Sequence, residues 1–126
     1  MKSSVFIILA ALVAMPAEAA NWVLVSSSNN GTLVYIDAES IKHTGSSARA
    51  WTKHDYSKVA SKKARESMQL WWFQCESETI ATMSAIDYSP NGEVISSRSY
   101  SYPEYTPVTP DSIGEDIFRI ACGFPE

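Results

Sequence analysis

The sequence predicts an α+β fold, in which an antiparallel sheet of about six strands carries a C-terminal helix on one face and one disulfide bond braces the domain. Three observations predict it. Short β-rich segments alternate with turn-forming residues along most of the chain, the apolar period becomes helical near the C-terminus, and two cysteines occur in a chain with an export signal. The length of 126 residues suits one domain.

The first 19 residues have the pattern of an export signal. Lys2 supplies a positive start, an unbroken apolar run extends from Val5 to Met15, and Ala17 and Ala19 are the small residues that signal peptidase requires. The run is about half of the roughly 20 residues that span a bilayer, so we do not expect a retained membrane helix. We expect cleavage after Ala19, which leaves a single mature domain over residues 20–126.

Export narrows the location of the mature chain. No cysteine lies near the predicted cut, so we expect no lipid anchor of the lipoprotein type. The predicted location is therefore periplasmic or secreted, with display at the cell surface as a third alternative.

Six segments have the composition of strands. Turn signals separate them, among them the Asn30-Gly31 pair and the segment 89–92, Ser-Pro-Asn-Gly. In chain order the predicted strands are Trp22–Ser26, Thr32–Asp37, Ala48–Tyr56, Ser67–Glu76, Thr79–Ser89 and Glu93–Ser101.

The last element has a helical period. Thr109 is predicted to cap a helix that has Pro110 at its first position, and Gly123 is predicted to end it. One apolar stripe follows the helical spacing, formed by Ile113, Ile117, Ile120 and Ala121.

Cys75 and Cys122 are the only cysteines in the chain. In an exported protein their simplest arrangement is one disulfide, which would close a loop of about 47 residues. A free structural thiol and a catalytic thiol are the alternatives. A metal site is not predicted, because the closely spaced Cys, His or carboxylate ligands that it needs are missing.

The cysteine-bearing strand predicts an interaction surface. Because side chains alternate along a strand, Trp71, Phe73 and Cys75 share one face, which the disulfide would place beneath the helix. Leu70 and Trp72 share the opposite face. An exposed apolar stripe there would bind a partner or a second copy in a homodimer. Alternatively, a loop or the N-terminal strands cover it.

Two further segments are candidate binding sites. A basic cluster suits an anionic glycan or an acidic protein surface, and the alternative is a solvated loop; it comprises Lys58, Lys62, Lys63 and Arg65. Tyrosines crowd a second segment and suit a recognition surface, unless they belong to an edge strand or the core; they are Tyr100, Tyr102 and Tyr105.

Signals of catalysis are nearly absent. Motifs for a nucleophile elbow, a phosphate loop or a zinc protease do not occur, and we predict no catalytic residues, no cofactor and no metal. His54 and Asp55 are neighbours on a strand and would point to opposite faces. Asp37 and Glu39 are interpreted as turn-capping acids rather than as cation ligands. The formal net charge of −4 argues against nucleic-acid binding.

Taken in order, these features resemble the surface-adhesin protein E-like family of Gram-negative bacteria, over nearly the whole mature chain. The matching features are Trp22, the VYID stretch 34–37 with Ser40 and Ile41, Trp51, Cys75, the hairpin sequence 88–97, and Pro110 with Ser112 before the helix that ends in Cys122.

The resemblance implies a small antiparallel sheet packed on a helix and braced by Cys75–Cys122. It also implies adhesion, since some relatives act at the cell surface and bind host matrix and plasma proteins. We therefore predict an exported, non-catalytic protein-binding module. The alternative is a periplasmic interaction or inhibitor protein with an envelope partner.

Overall fold

The computed structural model describes residues 19–124. The predicted export signal lies, apart from Ala19, outside the described residues, so cleavage after Ala19 and the domain bounds 20–126 stay predictions.

Residues 19–124 form one antiparallel sheet and one α-helix. The strands are β1 Trp22–Ser27, β2 Leu33–Asp37, β3 Lys42–Thr44, β4 Ser47–Asp55, β5 Glu66–Gln74, β6 Thr79–Tyr88, β7 Val94–Ser99 and β8 Thr106–Pro107; the helix is α1 Ile113–Cys122, and a 3₁₀ turn spans Ala38–Ser40. The six predicted strands are confirmed, and β3 and β8 are two short additions.

The strand order places β4, β5 and β6 at the centre of the sheet. The order is β1-β2-β4-β5-β6-β7. β3 pairs with β4 beyond the end of β2, and β8 pairs with β6 beyond the end of β7. Each side of the sheet is thus bordered by one longer strand and one very short strand.

Three strands contain a bulge, where one strand has an extra residue that lacks a register partner. In β1 the extra residue is Val25, and in β7 it is Ile95. In β6 it is Met83, opposite the junction between Leu70 and Trp71. A bulge bends its strand and increases the local twist, so both long outer strands are kinked.

The helix packs on one face of the sheet and forms the core with it. The buried core side chains of the sheet are Val34, Ile36, Ala48, Ala50 and Phe73, and those of the helix are Ile117, Phe118 and Ala121. The Phe73 and Phe118 rings lie 6.4 Å apart. The predicted helical stripe is therefore confirmed, with Phe118 as an additional member.

The predicted helix cap at Thr109 was wrong. Ser112 is the N-cap, and its hydroxyl accepts a hydrogen bond from the Glu115 N–H at 3.1 Å while donating to the Thr109 carbonyl at 2.6 Å. Asp111 has a φ of +57°, a left-handed conformation that no helix started at Pro110 could contain. The predicted end is confirmed, since Gly123 has a φ of +76° and terminates the helix.

The disulfide joins the helix to the centre of the sheet. Cys75 directly follows β5, Cys122 is the last residue of α1, and their Cα atoms lie 5.7 Å apart. The predicted pairing is confirmed. It holds α1 against the face on which Trp71 and Phe73 lie.

Candidate binding face

The face of the sheet opposite α1 is rich in aromatic and basic side chains. No helix within residues 19–124 packs on it. Register partners place Trp51 opposite Leu70 and Arg49 opposite Trp72. We call this surface the open face; its larger side chains are Trp22, Tyr35, Arg49, Trp51, Lys53, Met68, Leu70 and Trp72, all half-buried except the exposed Arg49.

A transverse row of register partners crosses the open face. Lys42 of β3 lies opposite Arg49 of β4, Arg49 lies opposite Trp72 of β5, and Trp72 lies opposite Ala81 of β6. Tyr105 precedes β8 and reaches the same area. A depression of about 370 Å³ lies here, which we call the Trp72 groove. It is lined by Lys42, Thr44, Ser47, Ala48, Arg49, Trp72 and Tyr105.

Two cations lie directly opposite each other in the Trp72 groove. Lys42 and Arg49 are both exposed, and neither forms an ion pair with another residue of the described chain. Like charges at opposed positions destabilise a strand pair. Because neither cation has an ion-pair partner within residues 19–124, the groove is electropositive, although the formal net charge of the protein is −4.

Acidic residues border the other side of the same cations. A neighbouring depression of about 390 Å³ is lined by Asp37 and Glu39 as well as by Lys42 and Arg49. One Asp37 carboxylate oxygen accepts hydrogen bonds from the backbone N–H of Asn21 at 2.9 Å and of Glu39 at 3.1 Å. Asp37 therefore caps the 3₁₀ turn, as its sequence position indicated.

A cation and two aromatic rings occupy the part of the open face near β1. The Lys53 Nζ lies 4.6 Å from the Trp22 ring centroid and 5.2 Å from the Tyr35 ring centroid. These distances fit cation–π attraction, which is about 0.5–1 kcal/mol at exposed sites. Lys53 is thus held in place by rings and lies outside the Trp72 groove.

The basic cluster predicted from the sequence lies in the loop between β4 and β5. Lys58, Lys62, Lys63 and Arg65 are all exposed. The Lys62 Nζ lies 4.8 Å from the Tyr56 ring, and an Arg65 guanidinium N–H donates to the Pro90 carbonyl at 3.4 Å. This loop follows Asp55 and precedes Glu66, about six residues along the sheet from Trp72, so the structure does not bring the basic cluster to the Trp72 groove.

The three tyrosines of the predicted recognition segment separate in the structure. Tyr100 is 49% exposed and Tyr102 is 82% exposed, whereas Tyr105 is half-buried in the Trp72 groove. The Tyr100 N–H donates to the Met83 carbonyl at 3.0 Å, which places Tyr100 beside the edge of β6. Only Tyr105 joins the open face.

His54 lies on the helix side of the sheet, and its neighbour Asp55 lies on the other. The register places His54 opposite Val34 and Ser67. Its Nδ1 is buried and has no hydrogen-bond partner among residues 19–124. Burial lowers the pKa of His54, the Asp87 charge opposes that shift, and the Lys62 charge adds to it.

We expect the protein to lose stability as the pH falls below about 6.5, the ordinary pKa of a histidine. The folded-state pKa of His54 is lowered, so between the two pKa values the unfolded chain binds a proton that the folded protein does not. Stability therefore falls as the pH falls through this range. Urea midpoints from about pH 7.5 to about pH 5.5 should show this decrease. The substitution His54→Gln should flatten the profile. Equal slopes in wild type and His54→Gln would contradict the expectation.

Within residues 19–124, no three His, Cys, Asp or Glu side chains lie together in a group that could hold a metal ion. In the same part of the chain, no helix combines the length and apolar character needed to cross a membrane.

Sequence reasoning missed the two cations of the Trp72 groove. The sequence of β4 contained a signal that could have identified Arg49. The small residues Ala48, Ala50 and Thr52 alternate along this strand with Arg49 and the bulkier residues that follow it. Such alternation separates a buried row from an exposed one. Lys42 belongs to a strand of three residues, which is too short to show a period.

Fold and surface together define a class: small disulfide-braced α+β proteins with one sheet face under a helix and an aromatic, basic face open. The sequence profile of the family described as surface-adhesin protein E matches residues 22–123. The chain therefore belongs to the surface-adhesin protein E family, and the resemblance recognised in the sequence is confirmed.

Solved structures of Haemophilus influenzae protein E are similar to this fold. For its crystal form II the TM-score is 0.57 at 17% identity, covering 83% of this chain and 89% of that one. For protein E from the non-typeable bacterium the TM-score is 0.51 at 17% identity, covering 86% of this chain and 80% of that one. At this identity the likeness shows a shared fold. No curated protein matches the chain significantly.

Proposed function

We propose that this protein is an exported, non-catalytic adhesin that binds host matrix or plasma proteins through its open face. Membership of the surface-adhesin protein E family over residues 22–123 carries the proposal. The family is named for a surface adhesin, and an adhesin acts by contact with a partner rather than by chemistry on a substrate.

The composition of the open face supports a role in protein contact. Trp51, Leu70 and Trp72 are half-buried neighbours on adjacent strands, so part of each apolar side chain remains in water. Aromatic side chains and arginine are enriched in the buried centres of protein interfaces, where they contribute most of the binding energy. The open face offers both residue types on a rigid sheet.

Binding to immobilised matrix and plasma proteins tests the proposal. We expect the mature protein to bind at least one of them, and Leu70→Glu to weaken that binding at least about tenfold because it places a charge in an apolar contact. A second variant, Trp51→Ala, removes contact area without adding charge. Circular dichroism should show that both variants keep the wild-type fold.

The basic cluster provides the competing site. Lys62→Glu together with Lys63→Glu should leave binding unchanged if the open face is the contact. If only this double variant loses affinity, and if binding weakens steeply as salt is added, the basic cluster rather than the open face is the contact surface. If the mature protein binds none of the immobilised matrix and plasma proteins, the adhesin proposal is wrong.

Cellular location gives an independent check. Protease added to intact cells should degrade the protein if it is displayed at the surface. Complete protection, together with capture of an envelope protein by cross-linking, would overturn the surface role and support the periplasmic alternative.

A further inference from the structure

We infer that the Trp72 groove binds the terminal, carboxylate-bearing sugar of a glycan, of the sialic-acid type. The inference rests on the proposed function, because it names the chemical group that such an adhesin would recognise on host glycoproteins. No residue of the basic cluster lines this site, whereas Trp72 of the apolar stripe does.

The opposed cations indicate an anionic ligand. Lys42 and Arg49 lie opposite each other on neighbouring strands, and within residues 19–124 neither is neutralised by an ion pair. An anion placed between them would replace their repulsion with attraction to both. The planar guanidinium of Arg49 suits a carboxylate, which it can bind through two parallel N–H···O bonds.

The aromatic residues indicate that the anion is carried by a sugar ring. Trp72 lies next to Arg49 in the same row, and Tyr105 lines the same groove. The C–H faces of a pyranose are apolar, so they pack against aromatic rings while the sugar hydroxyls stay available for hydrogen bonds. Thr44 and Ser47 also line the groove and offer hydroxyl groups to such a ligand.

The surroundings of the groove favour a terminal sugar over an internal one. Its volume of about 370 Å³ is near the lower end of small-molecule sites and suits one or two sugar rings. Beyond Lys42 and Arg49 lie Asp37 and Glu39, which would repel the next carboxylate of a polyanionic chain. A glycan that ends in one acidic sugar avoids that repulsion.

Titration of the purified mature protein with 3′-sialyllactose, followed by NMR, tests this inference, with lactose as the uncharged comparison. We expect saturable binding of the sialylated sugar and no binding of lactose. Arg49→Gln should weaken binding at least about tenfold, since it removes the charge-assisted contact, and Trp72→Ala should have a similar effect. Lys42→Gln should weaken it less, because one cation remains.

Arg98→Gln is the matched control. Arg98 is an exposed arginine of β7 whose register partner is Ala85, away from the groove, so affinity should not change. Thermal unfolding of Arg49→Gln should resemble that of wild type. Equal affinity for lactose, equal losses in Arg49→Gln and Arg98→Gln, or preference for a hyaluronan tetrasaccharide or a glutamate-rich peptide would each overturn the inference.

Sialidase treatment of the matrix and plasma glycoproteins separates this inference from the proposed function. Binding that disappears after sialidase supports both. Binding that is unaffected by sialidase, with no response to free 3′-sialyllactose, contradicts the sugar site and leaves the adhesin role intact. Binding of the free sugar without binding to any glycoprotein contradicts the adhesin role alone.

Discussion

Replacing both cysteines, as Cys75→Ala with Cys122→Ala, is expected to lower the free energy of unfolding by about 4 kcal/mol. The two residues are separated by 47 positions in the sequence, and the bond restricts a correspondingly long loop in the unfolded chain. The double variant leaves no unpaired thiol to react. Urea denaturation of the oxidised wild type and the variant measures the difference.

Reduction of the wild type provides the control for this prediction. Unfolding in the presence of a thiol reductant should give nearly the stability of the double variant, because both lack the same bond. Thiol titration of the unreduced mature protein should find no free thiol. Two reactive thiols in unreduced protein, or an unchanged urea midpoint in the double variant, would contradict the prediction.

Phe73→Ala is expected to lower the free energy of unfolding by about 3–5 kcal/mol. Phe73 has no exposed surface, and its ring lies 6.4 Å from those of Trp71 and Phe118. Truncation would leave a cavity between the sheet and the helix, which the surrounding backbone can fill only in part. Urea denaturation at neutral pH measures the loss.

Trp72→Ala is the matched control, because Trp72 is the adjacent residue on the same strand. It lies on the open face and is half-buried, so its truncation exposes the site to water instead of leaving a closed cavity. We expect less than about half the stability loss of Phe73→Ala. A larger loss for Trp72→Ala would mean that the face opposite the helix is as tightly packed as the core.

The central elements could be predicted because their signals are local. The alternation of β5 assigned Trp71 and Phe73 to the helix side, and the apolar spacing of α1 identified Ile117 and Ala121 as its buried face. The cysteine pairing followed from the presence of two cysteines in a chain with a predicted export signal. The strand and helix assignments depended on a few neighbouring residues, whereas the pairing depended only on the cysteine count and the predicted export signal.

The remaining features depend on tertiary contacts that a local pattern does not contain. Strict alternation in β6 would place Ala81 and Ala85 on one face. The extra residue Met83 reverses the alternation, so Ala81 lies opposite Trp72 on the open face while Ala85 lies opposite Gln69 on the helix side. The Trp72 groove likewise exists only because β3 and the segment before β8 meet the centre of the sheet at the same level.

The borders of the sheet bear on how the protein behaves when many copies are crowded together. A long, flat, unpaired strand is a template on which other chains can stack into fibrils. Here β1 and β7 are bent by the extra residues Val25 and Ile95. β3 has only three residues, and β8 has two, one of them Pro107, which has no N–H to offer. All four borders therefore resist the addition of a further strand, which favours a dispersed state even at high protein concentration.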